Sequence, residues 1–265
     1  MEVSKAGIIT LLTDFGINDP FVGIIKGVIN RIAPAVEIID LCHGVPSYSV
    51  SQGAMILGSS YRYFPSGTLF VTIVDPGVGS SRRVIFAESS GYRFLAPDNG
   101  ILSRVFSGEE PRQLISVENR DYFLPTVSST FHGRDIFAPV AAHLIQGLDP
   151  LRLGPQLGEM VRLPSPHRRE GPGFIEGEVE SIDKFGNLTT SIDAGMLIGK
   201  RITRILYKDY TITGLSTSYS EGDEGEVISL INSLDHLEVA VNRGNAAERL
   251  RGSTLDRVVV EYVDI

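Results

Sequence analysis

The stretch Thr68–Arg83, TLFVTIVDPGVGSSRR, decides how the rest of the chain is read. Its first seven residues, TLFVTIV, are apolar nearly throughout, as a strand covered on both faces should be. The run stops on Asp75, Pro76 and two glycines force a turn, and Arg82 and Arg83 follow. A strand covered on both faces belongs to a largely parallel sheet, and ligands of such sheets gather at the carboxyl ends of strands. Asp75 stands at such an end.

Working outward, Gly7–Leu12 (GIITLL) reads as a strand that ends in TDFG, placing Asp14 in the same position as Asp75. Phe21, Ile24, Ile25, Val28, Ile29 and Ile32 recur at three- and four-residue spacing, the signature of an amphipathic helix, and Asp19 is placed to cap it. Val36–Leu41 (VEIIDL) predicts a second strand and Val50–Phe64 a second helix. Arg83–Glu88 and Tyr92–Leu95 are further apolar runs before the turn signal APDNG, and Arg134–Gln146 predicts a closing helix. Strands alternating with helices imply a mainly parallel sheet with right-handed crossovers.

Composition changes at Arg162–Gly173, RLPSPHRREGPG, where Pro, Gly and charge displace apolar residues. This reads as an interdomain linker, so residues 1–162 form an α/β domain, 163–173 the linker and 174–265 a second domain. Beyond it, short alternating runs such as RITRILY, EVISLI, LEVAV and DRVVVEYV suggest a small antiparallel barrel or sandwich. The expected fold class is therefore an α/β N-terminal domain plus a smaller all-β, barrel-like C-terminal domain.

Charge narrows the function. The chain of 265 residues carries 24 basic and 32 acidic residues, a balance of −8 that argues against a nucleic-acid binder. The one cysteine, Cys42, leaves no disulfide framework or multi-cysteine zinc site and reads as a buried thiol. The opening MEVSKAGIITLLTDFG lacks the basic and long apolar regions of a leader. No apolar run approaches the roughly 20 residues of a membrane span. A cytoplasmic location and no membrane partner are expected.

Several motifs bear chemistry. Asp14 suits the hydroxyls of a ribose, or the capping of the next turn. Asp75 with Arg82 or Arg83 across the glycine loop is either a hydrogen-bonding array for a small polar substrate or water, or a loop-tying ion pair. In STFHGRDIFAPVAAHL, His132 falls on an accessible loop and Asp135 reads as a helix cap or dipole partner. His132, Asp135 and His143 do not have a compact metal spacing, so no metal site is expected. Phe185–Asn187 in IDKFGNLTTSI would either stack on a base and read its edge or form a plain β-turn. His43, His167 and His236 have no constellation around them.

Taken in order, TDFGINDPFVG, DPGVGSSRR, APDNG, FHGRDIFAPVAAHL, IDKFGNLTTSI and INSLDHLEVAVNRGNA resemble the S-adenosylmethionine (SAM) hydroxide adenosyltransferases, relatives of the bacterial fluorinase and chlorinase. The resemblance spans about residues 8–250. It implies a homotrimer with sites between the N-terminal domain of one chain and the C-terminal domain of the next. The implied reaction is attack of water or hydroxide on C5′ of SAM, giving adenosine and methionine, with SAM as substrate and no cofactor.

By motif, the family's catalytic Asp–Arg–His trio falls on Asp75, Arg82 (with Arg83 its rival) and His132. The resemblance also implies that Asp14 binds the ribose hydroxyls, with Tyr48 near the sugar. Phe185 and Tyr219 would sandwich adenine and Asn187 bond its edge. Asp183 would take the methionine ammonium and Ser233 its carboxylate. Two departures stand out. The fluorinase has Tyr-Ser where this chain has His132-Gly133, and the halogenases have Arg where this chain has Leu234, which would pass the carboxylate to Arg243 or the backbone.

A sulfonium already leaves readily, so the enzyme's task is to hold water in line with the C5′–S bond. His132 would serve as base or water positioner. Three readings compete: a chlorinase-like halide transferase with room for chloride at Gly133, a non-catalytic adenosine or SAM sensor, and a metal hydrolase using Asp14, Asp75 and His132.

Overall fold

The structure, a computed structural model, describes residues 7–265, so the first six residues of the N-terminal stretch MEVSKAGIITLLTDFG lie outside the described residues. The chain divides into two compact units, Met1–Leu163 and Pro164–Ile265.

The first unit is built on a six-stranded sheet. Its strands are β1 (Ile8–Thr13), β2 (Glu37–Cys42), β3 (Leu69–Ile73), β4 (Val84–Glu88), β5 (Arg93–Pro97) and β6 (Gln113–Ser116), in the order β2-β1-β3-β5-β4-β6. The pairings of β1 with β2, β1 with β3 and β3 with β5 are parallel; β4 alone runs against the rest. Every residue of β3 is buried. Leu69, Val71 and Ile73 point into a core shared with helix α1 (Phe21–Ile32) and helix α3 (Ala138–Ile145). Phe70 and Val74 point into the opposite core with helix α2 (Val50–Ser60) and Ile101–Phe106. That double covering is why the TLFVTIV run carries no polar alternation.

The helices differ in detail from their sequence reading. Helix α1 starts after Pro20 with no side-chain cap bond, so Asp19 does not cap it. Helix α2 tightens into a 3₁₀ turn at Tyr61–Tyr63. The segment read as one helix over Arg134–Gln146 begins instead with a π-helical turn, Gly133–Phe137, before α3. Cys42 is half-buried rather than buried, its Sγ accepting from the Gly44 N–H at 3.3 Å.

The second unit contains β7 (Arg169–Gly171), β8 (Phe174–Ile182), β9 (Leu188–Asp193), β10 (Lys200–Tyr207), β11 (Tyr210–Thr213), β12 (Val227–Ile231), β13 (His236–Val241) and β14 (Arg257–Asp264). They form one antiparallel sheet in the order β11-β10-β14-β8-β9-β13-β12, with β7 beside β8. The stretch read as a linker therefore contributes a strand. The two edges approach closure: the Ser216 N–H donates to Ser229 O at 2.7 Å, and Ser229 Oγ donates to Gly214 O at 2.8 Å. The interior is filled by Ile175, Val179, Leu188, Ile205, Tyr207, Val239 and Val260. No helix among the described residues is long and apolar enough to cross a membrane.

Phe70 ties the sheet to its second core, stacking on Phe94 at 5.3 Å and meeting the edge of Phe64 at 5.4 Å. Phe70→Ala should lower the unfolding free energy of this unit by about 3–5 kcal/mol, read by urea denaturation. A loss below about 1 kcal/mol would contradict the packing described.

Candidate active site

In the first unit, Thr13 and Ile73 are register partners at the ends of adjacent parallel strands, so Asp14 and Asp75 emerge at the same carboxyl edge. The loop after Asp75 is held from within. The Val78 N–H donates to Asp75 O at 3.2 Å, Ser80 Oγ donates to Gly77 O at 2.6 Å, and the Arg82 N–H donates to Ser80 Oγ at 3.2 Å. Asn99, in the APDNG turn, braces the strand end by donating from Nδ2 to Val74 O at 2.8 Å. Gly79 is required twice over. Its φ is +78°, and a Cβ there would collide with the Ser129 carbonyl oxygen. The loop can therefore lie directly against the segment that leads to His132.

This loop returns Arg82 onto Asp75. Arg82 Nε lies 2.9 Å from both carboxylate oxygens, and Nη2 donates to Oδ2 at 2.5 Å. The same Nη2 reaches His132 Nδ1 at 2.8 Å. The guanidinium also lies over the Phe137 ring at 5.8 Å. Asp75 and Arg82 are almost fully enclosed, with side-chain exposures of 5% and 11%. Arg83 turns away and pairs with Asp98 through Nε at 2.8 Å and Nη2 at 2.5 Å. Geometry thus gathers Asp75, Arg82 and His132 and leaves the rival arginine out.

An arginine only donates, so His132 Nδ1 must be the acceptor, and a neutral ring then carries its proton on Nε2. Burial first, and Arg82's charge second, hold the His132 pKa below its ordinary value, against the opposing pull of Asp75 and Asp135. His132 also lines a hollow of about 370 Å³ with Gly79, Arg120, Phe123 and Ser128.

Asp135 is not a helix cap. Fully buried in the π turn, it accepts from the Ser128 N–H and Oγ, both at 2.8 Å, and from Arg134 Nε at 2.6 Å. Burial works to raise its pKa, yet these bonds hold it below the usual carboxylate range. Its work is to fix the Ser128–Phe131 loop from which His132 projects. Gly133 is equally constrained: a Cβ would lie 3.1 Å from Ile25 Cδ1 and 3.3 Å from Phe131 Cε2.

Asp14 accepts from the Tyr48 N–H at 2.9 Å through Oδ2. Tyr48 is held at φ +66° with its ring 72% exposed. A bulky residue in the left-handed region is costly and clusters at ligand sites.

In the second unit, Asp183, Phe185, Asn187, Tyr219, Val241, Arg243 and Gly244 line an open depression of about 520 Å³. The Phe185–Asn187 segment is a turn, and it presents the Phe185 ring to the depression. Asp183 Oδ1 accepts from the Phe185 N–H at 2.8 Å and the Asn187 N–H at 2.9 Å, and Oδ2 accepts from Asn187 Nδ2 at 3.0 Å. Gly186 has φ +85°, with the Asn245 side chain where a Cβ would lie. Phe185 is left 62% exposed, with Lys184 Nζ 4.7 Å from its ring centre. Ser233 is exposed in the turn between β12 and β13 and is not among the lining residues, whereas Arg243 is. Sequence reasoning did not single out Asn99, Gly79, Asp135's loop-holding role or Glu238, which accepts from Tyr219 Oη at 2.7 Å. The signals were present as an Asn after a buried strand and as an acid inside the apolar run LEVAV.

His167, His236 and His43 are structural, bonded to Glu176 Oε1 at 2.8 Å, Thr190 O at 2.9 Å and Thr13 Oγ1 at 2.9 Å respectively. Among the described residues no three His, Cys, Asp or Glu side chains converge as metal ligands.

The first unit thus presents a small polar trio at its strand ends, and the second, a nearly closed barrel, carries an aromatic depression. Residues 9–154 match the model of the SAM hydroxide adenosyltransferase N-terminal domain and residues 177–259 that of the C-terminal domain, so the chain belongs to this family. It is 36% identical to the (R)-S-adenosyl-L-methionine hydrolase of Salinispora tropica, over 95% of this chain and 97% of the relative. It is 35% identical to the enzyme of the same name from Thermus thermophilus, over 90% and 93%. A crystal structure of an uncharacterized conserved protein from Thermotoga maritima superposes with a TM-score of 0.89 at 35% identity, covering 95% of this chain and 99% of that one.

Because a lowered pKa keeps the imidazole neutral, the Arg82–His132 bond should be intact at neutral pH and break as pH falls through that lowered value. Protonation would both remove the acceptor and set two cations together. NMR titration of the His132 ring should give a midpoint below 6.5. A midpoint above 6.5 would mean that Asp75, rather than burial and Arg82, governs the ring.

Proposed function

We propose that this protein hydrolyses SAM at C5′, giving adenosine and L-methionine. The observation that carries the reading is the enclosed Asp75–Arg82–His132 array at the carboxyl edge of a sheet, close to the ribose-suited Asp14. The names of the relatives point to the (R) epimer at sulfur as the substrate.

The chemistry follows from the substrate's charge. The water oxygen bonds to C5′ as the C5′–S bond breaks, and the electron pair leaves on sulfur as methionine's neutral thioether. No acid is needed at the leaving group. What the site must supply is a water held in line with that bond and an acceptor for its proton. Asp75 is that acceptor, fixed in place by the fork of Arg82. With Nδ1 engaged by Arg82, His132 acts as a positioner: it holds the guanidinium, and with it Asp75, in one orientation. No cofactor is required, and Arg82 occupies the Asp75 and His132 atoms that a metal would use.

Asp14 is proposed for the ribose hydroxyls, with Tyr48 beside the sugar. Phe185 and Tyr219 are proposed for the faces of adenine and Asn187 for its edge. With Asp183 committed to its own turn, only its outer lone pairs remain for the methionine ammonium. Arg243, on the wall of the depression, is better placed than Ser233 for the carboxylate. Assembly as a homotrimer, with the two halves of each site supplied by different chains, completes the proposal. A cytoplasmic location suits a charged metabolite that does not cross membranes passively.

A chlorinase-like enzyme would use chloride as its nucleophile and make 5′-chloroadenosine, so the product separates that reading from hydrolysis. Purified protein given SAM should yield adenosine and methionine with or without chloride, and no 5′-chloroadenosine. Chelator should not change the rate. Asp75→Ala and His132→Ala should each lose at least a hundredfold in turnover while still binding adenosine. Asp14→Ala should weaken adenosine binding itself by about tenfold or more. Full activity in Asp75→Ala would overturn the mechanism; adenosine binding without any product would make the protein a sensor.

A further inference from the structure

Within β13, the residues Leu237–Val241 are all buried, and Glu238 among them is only 4% exposed. A carboxylate so placed is expensive unless its surroundings compensate it, and an apolar side chain there would be cheaper. Among the described residues no cation pairs with it. Its partners are two neutral donors: Tyr219 Oη donates to Oε1 at 2.7 Å and Asn232 Nδ2 to Oε2 at 3.1 Å.

One donor leads to the depression and the other to the neighbouring turn between β12 and β13. Tyr219 lines the depression together with Phe185 and Asn187. Burial first, then the bond to Glu238, push the Tyr219 hydroxyl pKa upward, so it stays a donor across the working range. Asn232 organises the turn between β12 and β13. Its Oδ1 accepts from the Leu234 N–H at 3.0 Å and the His236 N–H at 3.1 Å, and its own N–H donates to His236 O at 2.9 Å. Ser233 is bracketed by these bonds, and Asp235 completes the turn at φ +60°.

We propose that Glu238 is a positioning residue for the ligand: one buried carboxylate fixes the aromatic wall at Tyr219 and the turn carrying Ser233 as a single unit. The inference rests on the depression being part of the SAM site. It explains why the strand tolerates an acid in its buried run. Losing the carboxylate should loosen both walls at once and leave the Asp75–Arg82–His132 chemistry alone.

Glu238→Leu tests this, because an apolar side chain of similar size fills the buried site and can make neither the bond to Tyr219 nor that to Asn232. We expect KM for SAM to rise about tenfold with kcat changed less than about twofold, and the Kd for adenosine, measured by calorimetry, to rise in parallel. Tyr219→Phe keeps the ring and removes only the hydroxyl; it should raise KM severalfold. The double variant should be no worse than the worse single one, since both act through one contact. Unchanged KM and adenosine Kd in Glu238→Leu, or effects that multiply in the double variant, would overturn the proposal. If Glu238→Leu does not fold, an unchanged KM in Tyr219→Phe alone overturns it. Wild-type protein that neither binds adenosine nor cleaves SAM would overturn the underlying reading and this inference with it. An active wild type with unaffected variants overturns the inference alone.

Discussion

The fork of Arg82 between Asp75 and His132 is the contact on which the site in the first unit depends. It joins the end of β3 to the loop before α3, two segments more than fifty residues apart in sequence. Asp75 and Arg82 are nearly enclosed, so each is set by packing as well as by charge. Removing one side of so buried a pair typically costs about 3–5 kcal/mol, because it strands the other charge. The features around it serve the same contact. Gly79 lets the loop close on Ser129, Asn99 holds the strand end, and Asp135 holds the loop below His132. The trio is a rigid array before any ligand arrives, which is what positioning a single water requires.

The second unit answers a different need. Its depression is open, aromatic and built on turns, and each turn is braced by a carboxylate: Asp183 under Phe185–Asn187, and Glu238 under Tyr219 and Asn232. A flat base is bound by stacking area and one or two edge bonds, so the protein must hold rings still without covering them. Phe185 and Tyr219 remain substantially exposed, as their proposed role against adenine needs.

Much of this was legible in the chain itself. The unbroken apolar run Thr68–Val74 predicts a central strand, and Asp14 and Asp75 at strand ends mark the ligand edge. The choice between Arg82 and Arg83 was not legible, since one residue of spacing cannot say which side chain a glycine loop returns to the strand. Asp98 settles it by taking Arg83. Asp135 was misread because an acid at a helix start ordinarily caps it, whereas here a π turn carries it inward to Ser128. The linker reading overlooked that a Pro- and Gly-rich stretch can still add a short edge strand. Nor does the spacing show what a Cβ at Gly133 would meet, since Ile25 and Phe131 come from a distant helix and an adjacent loop.

The central claim is that water, held by this array, attacks C5′ of SAM. Single-turnover reaction in ¹⁸O-labelled water, with both products analysed by mass spectrometry, tests it most directly. The account predicts one ¹⁸O atom in the 5′-hydroxyl of adenosine and none in methionine. Adenosine without label, or cleavage that leaves the oxygen on the sulfur-containing fragment, would contradict it.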